Sequence, residues 1–356
     1  LQISMSHSLA LSLLKVSTPP SDSFVLSPFS LGSALAILHD GTRGNTQHQL
    51  TQLLGGDASP SGITKLYSTL TTEFGKSTEV KTSIANKFFL KNDFNLKGDF
   101  VDHVSKKYNA GADNLNFDDG QGSADVVNRF VKEETGGMIP TLVDAASFND
   151  AVAVLINAVY FKGSWRNAFH EKNGLDLFHG VAADRQIPFM ILNKAEVAYS
   201  FGDGVSAVSI PYKDTSYQFV MIMPDSDFPK WREGLTDEAL QGILKGMREG
   251  DVDLEIPKFK IESSLDGKAA LKKLGVNEIF APSDFSGMTD DPRVYVSAVL
   301  HKAVIDISEE GTEASAATDI EFQSECFVQY RSMIFDNPFL YLILHSETPL
   351  FVGQFV

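Results

Sequence analysis

Cysteine is almost absent from this sequence. The 356 residues include one cysteine, Cys326, so no disulfide bond can form within the chain. The sequence also lacks any Asn-x-Ser/Thr acceptor for an N-linked glycan. Both absences are typical of a protein that works in the reducing cytosol, and we expect a cytoplasmic location. Secretion stays open as an alternative, because the sequence begins with Leu1 instead of methionine.

Positive charge is scarce as well. The chain has 30 Lys and Arg residues against 46 Asp and Glu residues, and its formal net charge is −16. Nucleic acids and anionic membrane surfaces are bound by clustered cations. No apolar run approaches the roughly 20 residues that a transmembrane helix needs. We therefore expect no nucleic-acid partner and no membrane partner.

The signatures of common catalytic and cofactor sites are also missing. The sequence has no G-x-S-x-G elbow, no H-E-x-x-H helix, no Walker loop and no C-x-x-C pair. The His170-Glu171 pair lacks the second histidine that a zinc helix requires. The GDG at 202–204 lacks the third glycine of a dinucleotide loop, and it predicts a turn. We expect a protein that is not an enzyme and that needs no metal and no cofactor.

The patterns that are present predict helices first and strands later. Ser27 as N-cap and Pro28 at the first helical position begin an apolar helix that Gly41 ends. Further helical patterns cover 62–74, 99–108, 124–134 and 235–248. Strand patterns dominate from about residue 150; they cover 151–161, 208–212, 217–223, 252–259, 294–306 and 338–344. The run at 151–161 is nearly continuous in β-branched and aromatic residues, as a strand buried on both faces would be. Helices followed by antiparallel strands indicate an α+β fold.

A set of short motifs, spread over nearly the whole chain and in a fixed order, resembles the serpin family. These motifs are SPFSLGSALA at 27–36, GTRGNT at 41–46, INAVYFKGSW at 156–165, PYK at 211–213, MP at 223–224, IPKF at 256–259, LHKA at 300–303, EEGTEA at 309–314, NPFL at 337–340 and LFVG at 350–353. Each motif alone is weak, but a chance match of all of them in this order is very improbable.

The resemblance implies a fold and a domain organisation. We expect eight or nine helices around three β-sheets, formed by a single domain over residues 1–356. A reactive-centre loop is expected at about 309–332, exposed near the C-terminus. The connection between Leu54 and Ile63 is short, which suggests that the fourth helix of the family is reduced. Lys65 and Lys76 are the only cations between residues 57 and 80, so we expect no heparin binding.

The first half of this loop alternates between two kinds of residue. Thr312, Ala314 and Ala316 are small and lie on one face of a period-2 pattern, while the other face is mostly acidic or polar. Taken alone, the residues are also compatible with a solvated acidic linker or an edge strand. In a serpin, small uncharged residues here let the cleaved loop enter the central sheet as an added strand. The hinge residues that the resemblance implies are Glu309, Glu310, Gly311, Thr312, Glu313, Ala314, Ser315, Ala316 and Ala317.

The family register indicates which bond the loop offers to a protease. Counted from Glu309, the scissile bond falls between Glu325 and Cys326. A slip of one or two residues would select Ser324, Cys326 or Phe327 instead. A glutamate at this position needs a protease with a basic pocket, since an unpaired buried carboxylate is costly. The expected partner is an Asp/Glu-specific serine protease that resembles granzyme B, with cysteine proteases as a weaker alternative.

The resemblance also implies residues that control the opening of the central sheet. Ser27, Ser30, Asn157 and His301 match a polar group beneath the point of opening. Trp165, Lys258 and Glu309 match a clasp at the upper end of the sheet. The function expected is suicide-substrate inhibition by a metastable monomer. The alternative is a non-inhibitory serpin that acts as a carrier or chaperone. The inward-facing hinge residues Thr312, Ala314 and Ala316 are neither charged nor bulky, which favours the inhibitor.

Overall fold

Part of the predicted loop lies beyond the portion of the chain that can be described. The structure, a computed structural model, describes residues 2–74, 76–309 and 331–356. Hinge residues 310–317 and the Glu325–Cys326 bond lie outside the described residues. Glu309, the first residue of the hinge, lies within them.

Helices follow where apolar spacing and capping residues predict them. The α-helices of the described residues are α1 (Gln2–Ser17), α2 (Pro28–Gly41), α3 (Gly44–Gly55), α4 (Pro60–Phe74), α5 (Gly98–Tyr108), α6 (Gly120–Glu134), α7 (Phe228–Gly234), α8 (Asp237–Gly246) and α9 (Gly267–Lys273). At the start of α2 the Ser27 side chain accepts a hydrogen bond from the Ser30 N–H, and Pro28 follows the cap as predicted. The fourth helix, for which the short connection suggested a reduction, is 15 residues long. Helix α4 begins at Pro60, so the shortness of the connection does not shorten the helix.

The strands form three sheets within the described part of the chain. They are β1 (Phe24–Leu26), β2 (Val80–Lys91), β3 (Gly111–Leu115), β4 (Ala153–Gly163), β5 (His170–Glu171), β6 (Asp176–His179), β7 (Asp184–Ile187), β8 (Phe189–Gly202), β9 (Val205–Pro211), β10 (Tyr217–Pro224), β11 (Arg248–Pro257), β12 (Phe259–Asp266), β13 (Ala298–Ile307), β14 (Arg331–Ile334), β15 (Phe339–His345) and β16 (Thr348–Phe355). The α+β class is confirmed. Strands β2 and β3, which come before residue 150 and belong to the central sheet, were not predicted.

The five-stranded sheet runs in the order β12-β13-β4-β2-β3. Strand β4 is buried on both faces, as its apolar run predicts. Strand β13 begins at Ala298, four residues later than predicted, and pairs with β4 in parallel from Ala298 opposite Val154 to Val304 opposite Tyr160. The other neighbours of these two strands, β12 and β2, are antiparallel to them.

The larger sheet follows the order β1-β16-β15-β10-β9-β8-β11-β14, with β5 paired to β8. The predicted hairpin is present as β9 and β10, with Pro211 opposite Gln218. The predicted turn at 202–204 joins β8 to β9, and its residues take positive φ values that favour glycine. Strand β14, which follows the loop, is the edge strand and pairs in parallel with β11.

Two apolar cores support the central sheet. The main core lies among both large sheets and α2, whose residues from Leu31 to Leu38 are buried. A smaller core lies beneath α6, where Val127 and Val131 pack over the outer face of the sheet. Helix α6 and the chain that follows it therefore cover the sheet on the side opposite to α2.

Candidate functional site

The chain leaves the central sheet at the end of β13 through a set of specific contacts. The Trp165 indole N–H donates a hydrogen bond of 2.8 Å to the Ser308 carbonyl. The Phe169 N–H donates one of 2.9 Å to the Glu309 carbonyl. These contacts hold both residues that precede the undescribed part of the loop. The start of the hinge is thus fixed at the upper end of β13.

Charge and aromatic packing complete this clasp. Lys258 Nζ lies 2.8 Å from Glu309 Oε2, and the bond to this carboxylate raises the pKa of Lys258. Trp165 is 2% exposed and stacks on Tyr212 with ring centroids 4.5 Å apart. The structure therefore brings Trp165, Lys258 and Glu309 together. Because the Lys258 side chain is 43% exposed, the ion pair contributes little to stability; its geometric effect is to hold the chain at Glu309.

The second group of predicted residues lies beneath the parallel pair of β4 and β13. Asn157 of β4 and His301 of β13 are Cα partners across this pair. The Asn157 amide nitrogen donates to Ser30 Oγ of α2 at 2.6 Å, and the Ser27 N–H donates to His301 Nε2 at 3.2 Å. The Ser27 hydroxyl in turn donates to the Leu350 carbonyl at 2.6 Å. The structure therefore brings Ser27, Ser30, Asn157 and His301 into one buried network.

Hydrogen-bond accounting assigns the histidine tautomer in this network. Since His301 Nε2 accepts from a backbone N–H, the proton is on Nδ1, which donates to Asn157 Oδ1. Complete burial lowers the pKa of His301 to about 3. The ring is therefore neutral near neutral pH, and it joins β13 to β4 by a hydrogen bond without introducing a charge.

Several members of the two groups were not found from the sequence. Asn86 of β2 lies opposite Asn157 and accepts a hydrogen bond from its side chain. The local signal for Asn86 was an amide directly after the apolar pair Ile84-Ala85, but β2 itself was not predicted. Phe169 and Ser308 take part through backbone groups, and no sequence pattern identifies a backbone contact between distant residues.

The arrangement of β4 and β13 is suited to the addition of a strand between them. Strands β4 and β13 are the point at which two sections of the sheet meet in parallel, each with an antiparallel neighbour on its other side. A chain that leaves β13 at Glu309 and doubles back would run antiparallel to both strands. Among the described residues, no group of three or more His, Cys, Asp or Glu side chains is placed to hold a metal ion. No helix in that same portion is long and apolar enough to cross a membrane.

Comparison with known proteins gives a consistent result. A sequence model of the family described as "Serpin (serine protease inhibitor)" matches residues 4–356. Iripin-2 of Ixodes ricinus is 32% identical over 94% of this chain and 88% of its own length. Human Serpin B8 is 30% identical over 97% of this chain and 96% of its own. The crystal structure of the thermophilic serpin tengpin in the native state has a TM-score of 0.89 at 28% identity, and the match covers 99% of this chain and 93% of tengpin.

Proposed function

The chain belongs to the serpin family, and from this premise we propose that it inhibits its target protease as a suicide substrate. The observation that carries the proposal is the parallel pairing of β4 and β13, with the loop attached at the top of β13. A parallel pair is slightly less stable per residue than an antiparallel one. A strand inserted between them would replace one parallel pair by two antiparallel pairs and would add a new row of backbone hydrogen bonds.

Chain length is sufficient for this insertion. Strand β13 has ten residues, which correspond to about 34 Å of antiparallel strand. The segment from residue 310 to Glu325 has sixteen residues, enough to run the length of β13 beside it. The small uncharged residues Thr312, Ala314 and Ala316 would enter first, where the sheet has parted least.

The proposed reaction begins as ordinary proteolysis. The serine hydroxyl oxygen of the protease attacks the carbonyl carbon of Glu325, and the bond to the Cys326 nitrogen breaks. The hydroxyl proton passes through the base of the protease to the leaving amine of Cys326, which leaves an ester between Glu325 and the protease. Insertion of the freed strand between β4 and β13 then carries the protease away before water hydrolyses the ester.

The bait residue defines the proposed target class. Glu325 would enter the primary pocket of the protease, where a fixed cation has to meet its carboxylate. We therefore assign an Asp/Glu-specific serine protease of the granzyme B type as the target, with the bond itself between Glu325 and Cys326. We assign the protein to the cytosol, because the thiol of Cys326 beside the bait would be open to oxidation in an oxidising compartment. We also assign it as a monomer.

The test is the formation of a covalent complex. The protein is mixed with granzyme B, and the products are examined by electrophoresis in SDS after boiling, with mass spectrometry of the released peptide. We expect a complex that survives boiling and a peptide that begins at Cys326. Cleavage without any stable complex would contradict inhibition and would favour the non-inhibitory alternative. A peptide that begins elsewhere would relocate the bond.

The same mixture tests insertion. We expect the cleaved protein, without protease attached, to unfold at a markedly higher temperature than the intact protein, because the inserted strand replaces one parallel pairing by two antiparallel pairings and adds a row of backbone hydrogen bonds. Cleaved and intact protein that unfold at the same temperature would contradict insertion.

A further inference from the structure

Large apolar side chains on the surface are concentrated at one end of the molecule. Among the described residues, those that are clearly exposed are Leu175 at 59%, Leu177 at 42%, Ile334 at 41%, Met138 at 38% and Val126 at 36%. The first three lie at the end where the loop is attached. Met138 and Val126 belong to α6 and the chain that follows it, on the covered face of the central sheet.

A short series of contacts connects the three residues at the loop end. Ile334 of β14 lies opposite Glu255 of β11, so their side chains share one face of the sheet. Glu255 accepts a hydrogen bond of 2.6 Å from Lys172 Nζ, and the same ammonium group lies 3.2 Å from Asp176 Oδ2. Asp176 stands between Leu175 and Leu177 in the sequence. One lysine therefore links Glu255 of β11, the strand partner of Ile334, to the β6–β7 hairpin.

The hairpin presents Leu177 from a fixed base. Side chains alternate along a strand, and the neighbouring Phe178 is completely buried against Phe355, with ring centroids 4.9 Å apart. The Arg185 guanidinium covers the Phe178 ring at 5.1 Å. At the end of β6 the His179 N–H donates a hydrogen bond of 2.8 Å to the Asp336 carbonyl, which joins the hairpin to the chain just beyond β14. Leu177 is exposed because it lies on the opposite face of the hairpin from Phe178.

Both ends of the loop lie beside these residues. Residues 170–187 follow Phe169, whose N–H is bonded to Glu309 at the start of the loop. Ile334 lies three residues beyond Arg331, where the described chain resumes after the loop. Ile334 is nine positions beyond Glu325, a contour of at most about 32 Å. A protease bound at Glu325 is therefore held within reach of β14.

We propose that Leu175, Leu177 and Ile334 form a docking face for the rim of the target protease, which the protease contacts in the first complex, before the bond is cut. The inference rests on the proposed function and adds a second determinant of target choice beside Glu325. Exposed apolar patches with a polar surround are a mark of protein–protein contact sites. Three carboxylates lie beside the docking face, Asp176, Glu255 and Asp253, against the two cations Lys172 and Arg331. The local charge is therefore negative, and it fits a protease whose rim is apolar and cationic.

The position of the docking face predicts which kinetic constant it controls. Insertion between β4 and β13 draws the ester-bound residue Glu325 down the central sheet, away from β14. The docking contacts are therefore present in the first complex and absent from the final one. They accelerate association, and they have no effect on the competition between insertion and hydrolysis. Flanking carboxylates add an electrostatic part that salt screens.

The experiment compares two surface variants with matched chemistry. The docking variant is Leu175→Ser/Leu177→Ser/Ile334→Ser, and the control variant is Val126→Ser/Met138→Ser, which removes exposed apolar side chains far from the loop. For both variants and the unaltered protein, the association rate constant and the stoichiometry of inhibition are measured with granzyme B. We expect the docking variant to associate about tenfold more slowly, at an unchanged stoichiometry. The control variant should match the unaltered protein in both constants.

Two further measurements separate docking from other causes. A free peptide of residues 316–332 carries the bait without the docking face. The rate constant for its cleavage by granzyme B is therefore the lower limit for the association rate constant of the docking variant. The thermal unfolding midpoint of each variant shows whether the hairpin is still folded. Leu177→Ser alone, which keeps two of the three apolar side chains, is a milder change, and its association rate constant should lie between those of the docking variant and the unaltered protein.

The outcomes are distinguishable. A docking variant that is folded and associates as fast as the unaltered protein would overturn the docking face and leave the proposed inhibition intact. A variant with unchanged association but raised stoichiometry would also overturn it, because the residues would then act in insertion. If the unaltered protein forms no complex with granzyme B, both the proposed target and this partner for the docking face are wrong.

Discussion

The carboxylate of Asp40, at the end of α2, accepts a hydrogen bond of 2.7 Å from the hydroxyl of Tyr108, at the end of α5. The same carboxylate accepts from Thr64 of α4 at 2.7 Å and contacts His103 of α5 at 2.7 Å. His39, its neighbour in α2, provides a fourth contact at 3.1 Å. A single buried charge thus joins three helices beside the central sheet.

The balance of burial and hydrogen bonding sets the acidity of this group. Burial alone would raise the pKa of Asp40, but the hydrogen bonds from His39, Tyr108, His103 and Thr64 outweigh it and lower the pKa below the ordinary value of 3.8. A lowered folded-state pKa means that the stabilisation is present above pH 3.8 and is lost as the pH falls through the folded pKa. The carboxylate is therefore a stabilising element at neutral pH.

We predict that Asp40→Asn destabilises the protein by about 1–3 kcal/mol at neutral pH, because the amide has the shape of the carboxylate but cannot accept from all of its donors. Tyr108→Phe should cost about 1 kcal/mol. Urea unfolding at pH 7 measures both. Asp291→Asn is the control: this carboxylate also has a lowered pKa, set by Arg293, but the Arg293 side chain is 71% exposed, so the loss of the pair should move the urea midpoint much less. Equal midpoints for Asp40→Asn and the control would contradict the role of Asp40.

A second prediction concerns His301 and acid. Its pKa is lowered from the ordinary 6.5 to about 3 by burial, so below pH 6.5 the unfolded chain takes up a proton that the folded chain does not. Stability from the neutral ring is fully present above pH 6.5 and declines as the pH falls towards the folded value. The loss between about pH 7.5 and about pH 5 should be about 2 kcal/mol.

The measurement is the urea midpoint of the intact protein at these two pH values, beside that of His301→Gln. The variant is expected to be less stable at both, because glutamine cannot reproduce the bonds to Ser27 and Asn157. Its stability should change less between the two pH values, because the titrating ring is gone. If the unaltered protein and the variant have the same pH dependence, His301 is not the group responsible.

Much of the fold follows from local patterns, and the exceptions have a physical reason in common. Strand β4 was predictable because an unbroken apolar run needs burial on both faces. Strand β2 was not predicted because Asn86 and Lys87 interrupt its apolar residues. In the structure the Asn86 side chain bonds to Asn157, 71 positions away, and Lys87 lies over the Phe130 ring of α6 at 5.0 Å. Partners this distant cannot be read from the neighbouring residues.

The candidate site shows the same contrast between residues that a motif identifies and residues that only distant partners identify. The motif resemblance selected Asn157, His301, Trp165 and Lys258, and the structure places them in two groups at the β4–β13 pair. Buried polar residues outside any motif were invisible: Arg232, completely buried, donates to the Leu14 and Thr18 carbonyls at the end of α1. Such a guanidinium has the sequence context of an ordinary surface arginine, and only the packing of α7 on α1 gives it these partners.

A third prediction tests whether the hinge inserts with Thr312 facing inward, by comparing the same substitution on the two faces of the alternating pattern. Thr312→Arg would force a cation into the space between β4 and β13, where it has no partner. We expect a protein that granzyme B cuts as a substrate, with a stoichiometry of inhibition raised at least severalfold. Glu313→Arg is the matched control, since it places the same side chain on the opposite face of the alternation. The control should keep nearly the stoichiometry of the unaltered protein; equal effects of the two substitutions would contradict insertion in this register.

The last prediction concerns the bait, and it separates the placement of the bond from the mechanism. If Glu325 enters the primary pocket, its charge faces a fixed cation of the protease. Glu325→Arg then brings two cations together in a partly dry pocket, where at an effective dielectric of about 20 the repulsion at about 4 Å is roughly 4 kcal/mol. Inhibition of granzyme B should fall by at least a hundredfold in rate, while trypsin, whose pocket holds a carboxylate, should become a target.

Two comparisons make this prediction decisive. Phe327→Arg changes the charge of the loop in the same direction but leaves Glu325 in place, so with the bond at Glu325 it should remain an inhibitor of granzyme B. The trypsin complex of Glu325→Arg should survive boiling in SDS, because the insertion of residues 310–325 does not depend on the identity of the bait. If Phe327→Arg lost inhibition and Glu325→Arg kept it, the bond would follow Phe327, two residues later in the loop. If Glu325→Arg were cut by trypsin without a stable complex, the placement of the bait would stand and the trapping step would be at fault, because a protease would then leave faster than the strand between β4 and β13 can form.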